Sequence, residues 1–252
     1  MDHLEAFLNF VEQSPTAFHA VANLKEELRR ERRAPAFKLK PRFEDAAEGA
    51  YVRLNVEGYG GMIMSTWLDR PLSVAGRLVI REGDGIATRL VNLDRDSVLI
   101  PNMPIHFNRE VNDGYKWNIQ TDLQPLYGDE KAGGKLMEEL AAEAGVSPDQ
   151  VLAHDLFLYA RQPGSIWGAE DAFFSCGRID DLECAWGCMQ ALLEADPRDT
   201  IAVCAVFDNE EVGSLSKQGA DSTFLYDTLT RAGFALGASD GEIRAAMADG
   251  FM

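Results

Sequence analysis

Short runs of apolar and polar residues dominate the middle of the chain. Between residues 50 and 100 these runs are separated by Gly-rich or Asp-Gly turns. Runs of this length between turn residues are typical of β-strands joined by hairpins. The pattern predicts four strands, at Tyr51 to Val56, Met62 to Trp67, Leu72 to Ile80 and Ile86 to Leu93. We therefore expect a compact, barrel-like antiparallel β unit over residues 49–147, including an irregular stretch at 101–127 and a helix from Lys135 to Ala144.

Helix-length patterns and a longer apolar strand flank this β unit. Ser14-Pro15-Thr16 is typical of an N-cap followed by proline at the first helical position, and apolar residues then recur at helical spacing to about Arg30. After residue 147 the pattern alternates and predicts strands at Leu156 to Ala160 and Ile201 to Phe207, with helices at Leu182 to Leu193 and Ser222 to Leu236.

The uninterrupted apolar run at 201–207 favours a strand covered on both faces. We therefore predict an α/β fold in which a mostly parallel sheet is flanked by helices. Residues 1–48 and 148–252 would form this α/β domain, and the β-rich unit would be inserted into it.

Composition and charge narrow the class of protein. The net charge is -17, which disfavours nucleic acid because its phosphates would be repelled. No apolar run approaches the roughly 20 residues of a membrane span, and the acidic amino terminus does not resemble a secretory signal, so we expect a cytoplasmic protein. The four cysteines lack paired short spacings and are expected to be reduced, buried thiols rather than disulfides or a zinc knot.

Two acidic clusters are candidates for chemistry. Asp208-Asn209-Glu210-Glu211 follows the apolar run directly, at the end of a strand where open α/β sheets form their ligand crevices. Carboxylate oxygens gathered there suit a divalent metal, although acidic loops are commonly just solvated. In the second cluster we expect Asp181 to cap the following helix, which leaves Asp180 free to point elsewhere.

Other catalytic signals are weak. The four histidines, His3, His19, His106 and His154, show no helical metal-binding spacing. The sequence contains no phosphate-binding Gly-rich loop and no Gly-x-Ser-x-Gly elbow, so covalent catalysis has little support.

Five segments together resemble the aspartyl aminopeptidases. They occur in the order expected of that family and cover nearly the whole chain: Ser14-Pro-Thr-Ala-Phe-His, Thr66-Trp-Leu-Asp-Arg-Pro-Leu-Ser, Ile100-Pro-Asn-Met-Pro-Ile-His, Gly177-Arg-Ile-Asp-Asp-Leu-Glu and Phe207-Asp-Asn-Glu-Glu-Val-Gly-Ser. The resemblance implies a metalloaminopeptidase with two zinc ions per site that removes N-terminal residues, with acidic residues preferred, from peptides.

The resemblance also implies a role for four residues. Asp180 resembles the carboxylate that bridges both metals, and Glu211 resembles a terminal metal ligand. Glu210 resembles the general base that activates the metal-bound water. His106 resembles a histidine that reaches the active site of a neighbouring subunit and stabilises the oxyanion, so a homo-oligomer is expected.

The chain departs from the family pattern at two places. A His-x-Asp-Ser-Pro motif, whose histidine is a zinc ligand in the family, has no counterpart between the Arg-rich run at 29–33 and Ala34. The sequence also stops at Met252, before the family's remaining ligands. Three hypotheses stay open: an active zinc aminopeptidase, a catalytically incomplete fragment that serves as an assembly or interaction subunit, and a fragment that folds poorly because strand edges are exposed.

Overall fold

The computed structural model describes residues 3–16, 18–20, 22–23, 36–46, 51–198 and 200–250, with the backbone alone for 41–46. The described α-helices are α1 (His3–Glu12), α2 (Lys135–Glu143), α3 (Ile179–Glu194), α4 (Phe224–Ala235) and α5 (Asp240–Asp249). The described strands are β1 (Ala36–Ala46), β2 (Tyr51–Tyr59), β3 (Pro71–Glu82), β4 (Gly85–Asn92), β5 (Val98–Leu99), β6 (Leu126–Asp129), β7 (Val151–Ala160), β8 (Ser165–Trp167) and β9 (Phe173–Ser175).

Six strands close into a ring. The order of hydrogen-bonded neighbours is β3, β5, β6, β2, β1 and β7, and β7 pairs again with β3. β4 pairs with β3 as a hairpin outside this ring. Strands β3 and β7 approach so closely that a Cβ on Gly76 would lie 2.0 Å from the carbonyl oxygen of Asp155. Closure removes exposed strand edges from the ring, and the predicted barrel-like β unit is confirmed.

The barrel encloses the main hydrophobic core. Alternate residues of β2 are buried, as expected for a strand with one face turned inward, whereas Leu72 to Gly76 of β3 are buried consecutively. Leu136 and Leu140 of α2 belong to the same cluster, so this helix packs against the barrel core. Leu54, Leu72, Leu78 and Leu158 are among its fully buried side chains.

The predicted strand at Met62 to Trp67 is wrong. Met64–Trp67 forms a turn of 3-10 helix, after β2 has ended at Tyr59. The Thr66 hydroxyl donates a hydrogen bond of 2.8 Å to the carbonyl of Ile63, and this local bond competes with strand pairing. The other three predicted strands of this unit, and the helix after residue 134, are confirmed.

Helices pack beside the barrel and complete the predicted α/β class. Phe7 and Val11 of α1 contact Leu182 of α3 in a second apolar cluster. The helices predicted at Leu182 to Leu193 and Ser222 to Leu236 are confirmed by α3 and α4. For the helix predicted to run to about Arg30, residues 18–20 and 22–23 are helical, and residues 24–30 lie outside the described part of the chain.

The α/β part differs from the predicted parallel sheet. Residues 201–207 form no β-ladder, so the strand predicted there is wrong, and all ladders between the described strands are antiparallel. Ile201 is 73% exposed and Val203 55% exposed, which shows that this apolar run lacks a covering neighbour among the described residues. The barrel ring takes in Ala36–Ala46 and Val151–Ala160, outside 49–147, so the division into two domains stays a prediction.

Candidate functional site

A compact turn holds the first acidic cluster. Glu210–Val212 is a single turn of 3-10 helix, preceded by Asn209 and followed by Gly213, both with left-handed backbone. The amide of Gly213 donates to the carbonyl of Glu210 at 2.8 Å, and the amide of Ser214 donates to the carbonyl of Asn209 at 3.0 Å. These local bonds fix the direction in which both glutamates leave the backbone.

The end of β2 supports this turn. The Tyr59 hydroxyl donates to Oδ1 of Asn209 at 3.1 Å. The next residue, Gly60, has φ +77, and a Cβ placed on it would lie 2.6 Å from Cβ and 2.9 Å from Oε2 of Glu211. Only glycine fits this close approach without displacing the glutamate. The barrel therefore positions Glu211 through a residue that contributes no chemistry of its own.

Asp180 acts electrostatically on the same turn. Burial raises the pKa of Glu211, and the negative charges of Glu210 and then Asp180 raise it further. The charge of Asp180 therefore reaches Glu211, although the two residues are about thirty positions apart in sequence. The charges of Glu210 and Asp180 thus both act on Glu211, and the assignment of the three carboxylates to one site stays a prediction.

The segment that carries Asp180 is not regular helix. Asp180 and Asp181 have non-helical backbone angles, and the peptide bond between them is cis. Arg178 ties this segment to two other elements, because its guanidinium donates to the carbonyl of Val11 at 3.0 Å and to that of Ala160 at 3.4 Å. The carboxylate of Asp180 is thus held at the junction of α1, β7 and α3.

His106 lies apart from the carboxylates in this chain. It sits in the irregular loop after β5, is exposed, and has exposed neighbours in Ile105 and Phe107. Among the described residues it makes no hydrogen bond or ion pair with Asp180, Glu210 or Glu211. Its role stays a prediction that requires another subunit.

Two of the described carboxylates are candidate metal ligands. Asp180 and Glu211 offer the hard oxygen atoms that divalent cations accept, and their mutual repulsion is what a cation would relieve. However, no group of three or more His, Cys, Asp or Glu side chains that could hold a metal occurs in the described part of the chain. A closed zinc site takes about four ligands. These residues alone therefore do not fit a complete zinc centre.

The cysteines do not supply the missing ligands. All four are free, as predicted. Cys184 and Cys188 are exposed on α3 and Cys176 and Cys204 are partly buried, so the expectation that all four are buried is wrong. The buried face of α3 is formed by Leu182, Ala185 and Met189, so Cys184 and Cys188 lie on its solvent-exposed face.

A cavity of about 570 Å³ adjoins Asp180. Its walls are mainly apolar and include Met62, Trp67 and Phe157 of the barrel, and Ile179 and Leu182 of α3. A cavity of this size accommodates a small peptide or an amino acid side chain. Asp180 therefore borders a space that a substrate could occupy.

Three supporting residues were not assigned a role from the sequence. Tyr59 and Gly60 position the acidic turn, and Arg178 anchors the segment before Asp180. The pair Gly60-Gly61 after a predicted strand was a usable signal, since adjacent glycines mark a close backbone approach. The contacts of Arg178 with α1 and β7 were not readable, because they join residues distant in sequence.

No described helix is long and apolar enough to cross a membrane.

Comparisons with known proteins assign the chain to a family. The sequence signature described as "Aminopeptidase I zinc metalloprotease (M18)" matches residues 31–252. A protein of Clostridium acetobutylicum named "Probable M18 family aminopeptidase 2" is 41% identical over 225 residues, which are 87% of this chain and 52% of that protein. The chain therefore spans about half the length of the curated relative it matches.

Solved structures share the fold. The structure of Chaetomium thermophilum mApe1 superposes with a TM-score of 0.81 at 27% identity, covering 93% of this chain and 69% of that one. The mApe1 dodecamer of S. cerevisiae gives a TM-score of 0.78 at 24% identity, covering 93% and 66%, and it is a likeness of fold alone. The chain belongs to the M18 peptidase family, a family of zinc metallopeptidases described as aminopeptidase I.

Proposed function

We propose that this chain is part of a metalloaminopeptidase that releases N-terminal amino acids, with acidic residues preferred, from peptides. The observation that carries the proposal is that Asp180, which lines a cavity of about 570 Å³, lies within electrostatic range of Glu211 in the acidic turn. Membership of the M18 family supports it independently. Because the chain spans 52% of the Clostridium relative, the activity belongs to a more complete assembly of residues than the described ones.

The proposed roles follow from the chemistry of the carboxylates. Asp180 and Glu211 would each supply oxygen ligands to a pair of zinc ions, with Asp180 between them. A divalent cation, when bound, lowers the pKa of water towards neutrality. Glu210 is exposed and adjacent to Glu211, so its carboxylate can accept a proton from water and pass it to the leaving amine. Glu210 and Glu211 leave the tight turn in different directions, so Glu210 would act as the general base while Glu211 would bind the cation.

The proposal includes assembly and location. His106 lies on an exposed loop next to Phe107, which is 78% exposed, so the loop is available to a neighbouring subunit. There His106 would donate a hydrogen bond to the developing oxyanion of the neighbour's substrate. We therefore propose a homo-oligomer, and a dodecamer is known for a protein of the same fold. Four free thiols are compatible with a reducing, cytoplasmic compartment.

A second candidate function is a catalytically incomplete assembly subunit. The observation that favours it is that the described residues contain no group of three metal ligands, whereas the barrel ring is closed by strands of this chain. In this role the barrel would mediate association with other subunits, and Asp180, Glu210 and Glu211 would neither bind metal nor take part in catalysis.

Zinc content and hydrolysis distinguish the two functions. Zinc per chain is measured by elemental analysis after dialysis, with cleavage of Asp- and Glu-peptides, for the wild type, Glu211→Ala and Glu210→Gln. The aminopeptidase predicts zinc that is lost in Glu211→Ala but retained in Glu210→Gln, which loses only hydrolysis. The matched control is Glu143→Ala, an exposed glutamate at the end of α2, and it should change neither. Zinc in the wild type no higher than in Glu211→Ala, together with no cleavage of either peptide, refutes the aminopeptidase role of this chain and leaves the assembly subunit.

A further inference from the structure

Two arginines line the cavity beside Asp180. Arg70 lies just before β3 and is exposed, and Arg178 lies at the start of α3. Asp180 is the only carboxylate among the described residues that line the cavity. The lining thus carries a net positive charge in a chain whose net charge is -17. A cationic lining of this kind in an acidic protein concentrates anions at the cavity.

Arg70 is unpaired in the described part of the chain. No ion pair or hydrogen bond joins its guanidinium to another described residue. The carboxylate next to it in sequence, that of Asp69, is engaged elsewhere, because its Oδ1 accepts the amide of Asn102 at 2.8 Å. By contrast, Arg77 of β3 and Arg161, directly after β7, form ion pairs with aspartates. The guanidinium of Arg70 therefore retains its donors for a ligand.

Arg178 adds charge behind the wall of the cavity. Two of its nitrogen atoms are used by the carbonyls of Val11 and Ala160, and its guanidinium lies over the ring of Tyr159 at 5.6 Å. Its Nε is sealed from solvent and has no hydrogen-bond partner among the described residues. No ion pair joins Arg178 to a carboxylate among the described residues, although the charge of Glu12 acts on it from a distance, so its positive charge adds to the attraction for an anion.

We infer that Arg70 binds the carboxylate of a ligand that occupies this cavity, with Arg178 as a supporting charge. The planar fork of a guanidinium matches a carboxylate with two parallel hydrogen bonds. The apolar walls, including Trp67 and Phe157, would hold the aliphatic part of the ligand. The assignment of that carboxylate to the side chain of the first residue of a peptide rests on the proposed function, and it makes Arg70 a specificity-determining residue.

Binding without catalysis tests this assignment. Isothermal titration calorimetry in low salt with EDTA compares aspartyl-alaninamide and asparaginyl-alaninamide, which have nearly the same shape and differ in one charge. The wild type should bind the aspartyl compound about tenfold more tightly or better, as expected for charge-assisted hydrogen bonds. Arg70→Gln should abolish this ratio, and Arg70→Lys should retain part of it because the charge remains. The matched control is Arg231→Gln, which removes an exposed arginine of α4 that does not line the cavity.

The inference is overturned if the wild type binds neither compound, binds both equally, or keeps its ratio in Arg70→Gln. Because EDTA removes zinc, these outcomes do not depend on hydrolysis. Selective binding without any peptidase activity would leave Arg70 as the anion-binding residue while the proposed function fails. Hydrolysis of acidic peptides that is unchanged in Arg70→Gln would support the proposed function and show that Arg70 does not determine its specificity.

Discussion

The close approach of Gly60 to Glu211 links β2 to the acidic turn of the candidate site. Gly60→Ala introduces a Cβ that would lie 2.6 Å from Cβ of Glu211, at a backbone angle of φ +77. The left-handed backbone alone costs about 1 kcal/mol for alanine. The steric overlap adds roughly 1–3 kcal/mol, because the acidic turn must move away from β2.

A second glycine isolates the steric effect. Gly83 lies in the turn between β3 and β4 with φ +58, and a Cβ on it would have no neighbour within 4 Å. Gly83→Ala therefore carries the backbone strain without the overlap. The difference between the two variants measures the contact with Glu211.

Hydrogen exchange measured by mass spectrometry reports the local opening of the turn. The amides of Asp208, Gly213 and Ser214 are hydrogen-bonded within the segment 208–218 and should be protected in the wild type. In Gly60→Ala they should exchange roughly 5- to 150-fold faster, which corresponds to 1–3 kcal/mol, whereas Gly83→Ala should leave them unchanged. Equal exchange in this segment for both variants would refute the proposed support of Glu211 by β2.

The remaining predictions concern stability and thiol chemistry. Leu78→Ala, in the barrel core at 0% exposure, should lower the free energy of unfolding in urea by about 2–5 kcal/mol, whereas Ile86→Ala, at 72% exposure, should change it little; equal losses would contradict the observed core. Burial lowers the pKa of His19 to about 4 from 6.5, so between these pH values the unfolded chain binds a proton at His19 that the folded chain does not. His19 should therefore contribute a loss of about 3 kcal/mol in unfolding free energy as the pH falls from 6.5 to 4, and a His19→Gln variant with the same pH dependence as the wild type would disprove this contribution. The exposed thiol of Cys184 should react with Ellman's reagent faster than that of Cys176, whose pKa is raised by burial. The Cys188→Ser variant removes the other exposed thiol of α3, and adding Cys184→Ser to it should remove the fast phase; a fast phase of unchanged amplitude would contradict the prediction.

Much of the barrel could be predicted because its strands carry their own signals. The sequence runs that form β2, β3 and β4 have turn residues at both ends and an apolar face. Each of these strands finds its hydrogen-bonding partners within the same chain. Helix α1 was missed although Leu4, Phe7, Leu8 and Val11 follow helical spacing, and Phe7 and Val11 are buried. Helix α5 also had a signal, since Ser239 and Glu242 form a capping box.

The site was only partly predictable for a different reason. The sequence identified Asp180, Glu210 and Glu211 as candidates by residue type and by resemblance. The supports of these residues depend on contacts between distant segments, such as Tyr59 with Asn209. Propensity and periodicity describe neighbours along the chain, so they carry no information about such pairs.

The run at 201–207 shows where this limit matters most. An apolar pattern indicates that burial of a segment stabilises the folded state, but a β-ladder also requires a second segment within hydrogen-bonding distance. Ile201 and Val203 remain more than half exposed, while Cys204 to Phe207 are partly buried against α3 and α4. The acidic turn that follows nevertheless keeps its shape, since its own hydrogen bonds and β2 hold it. The position of Glu211 is therefore set by the barrel and by the hydrogen bonds of its own turn, whereas the apolar run before it has no strand partner among the described residues.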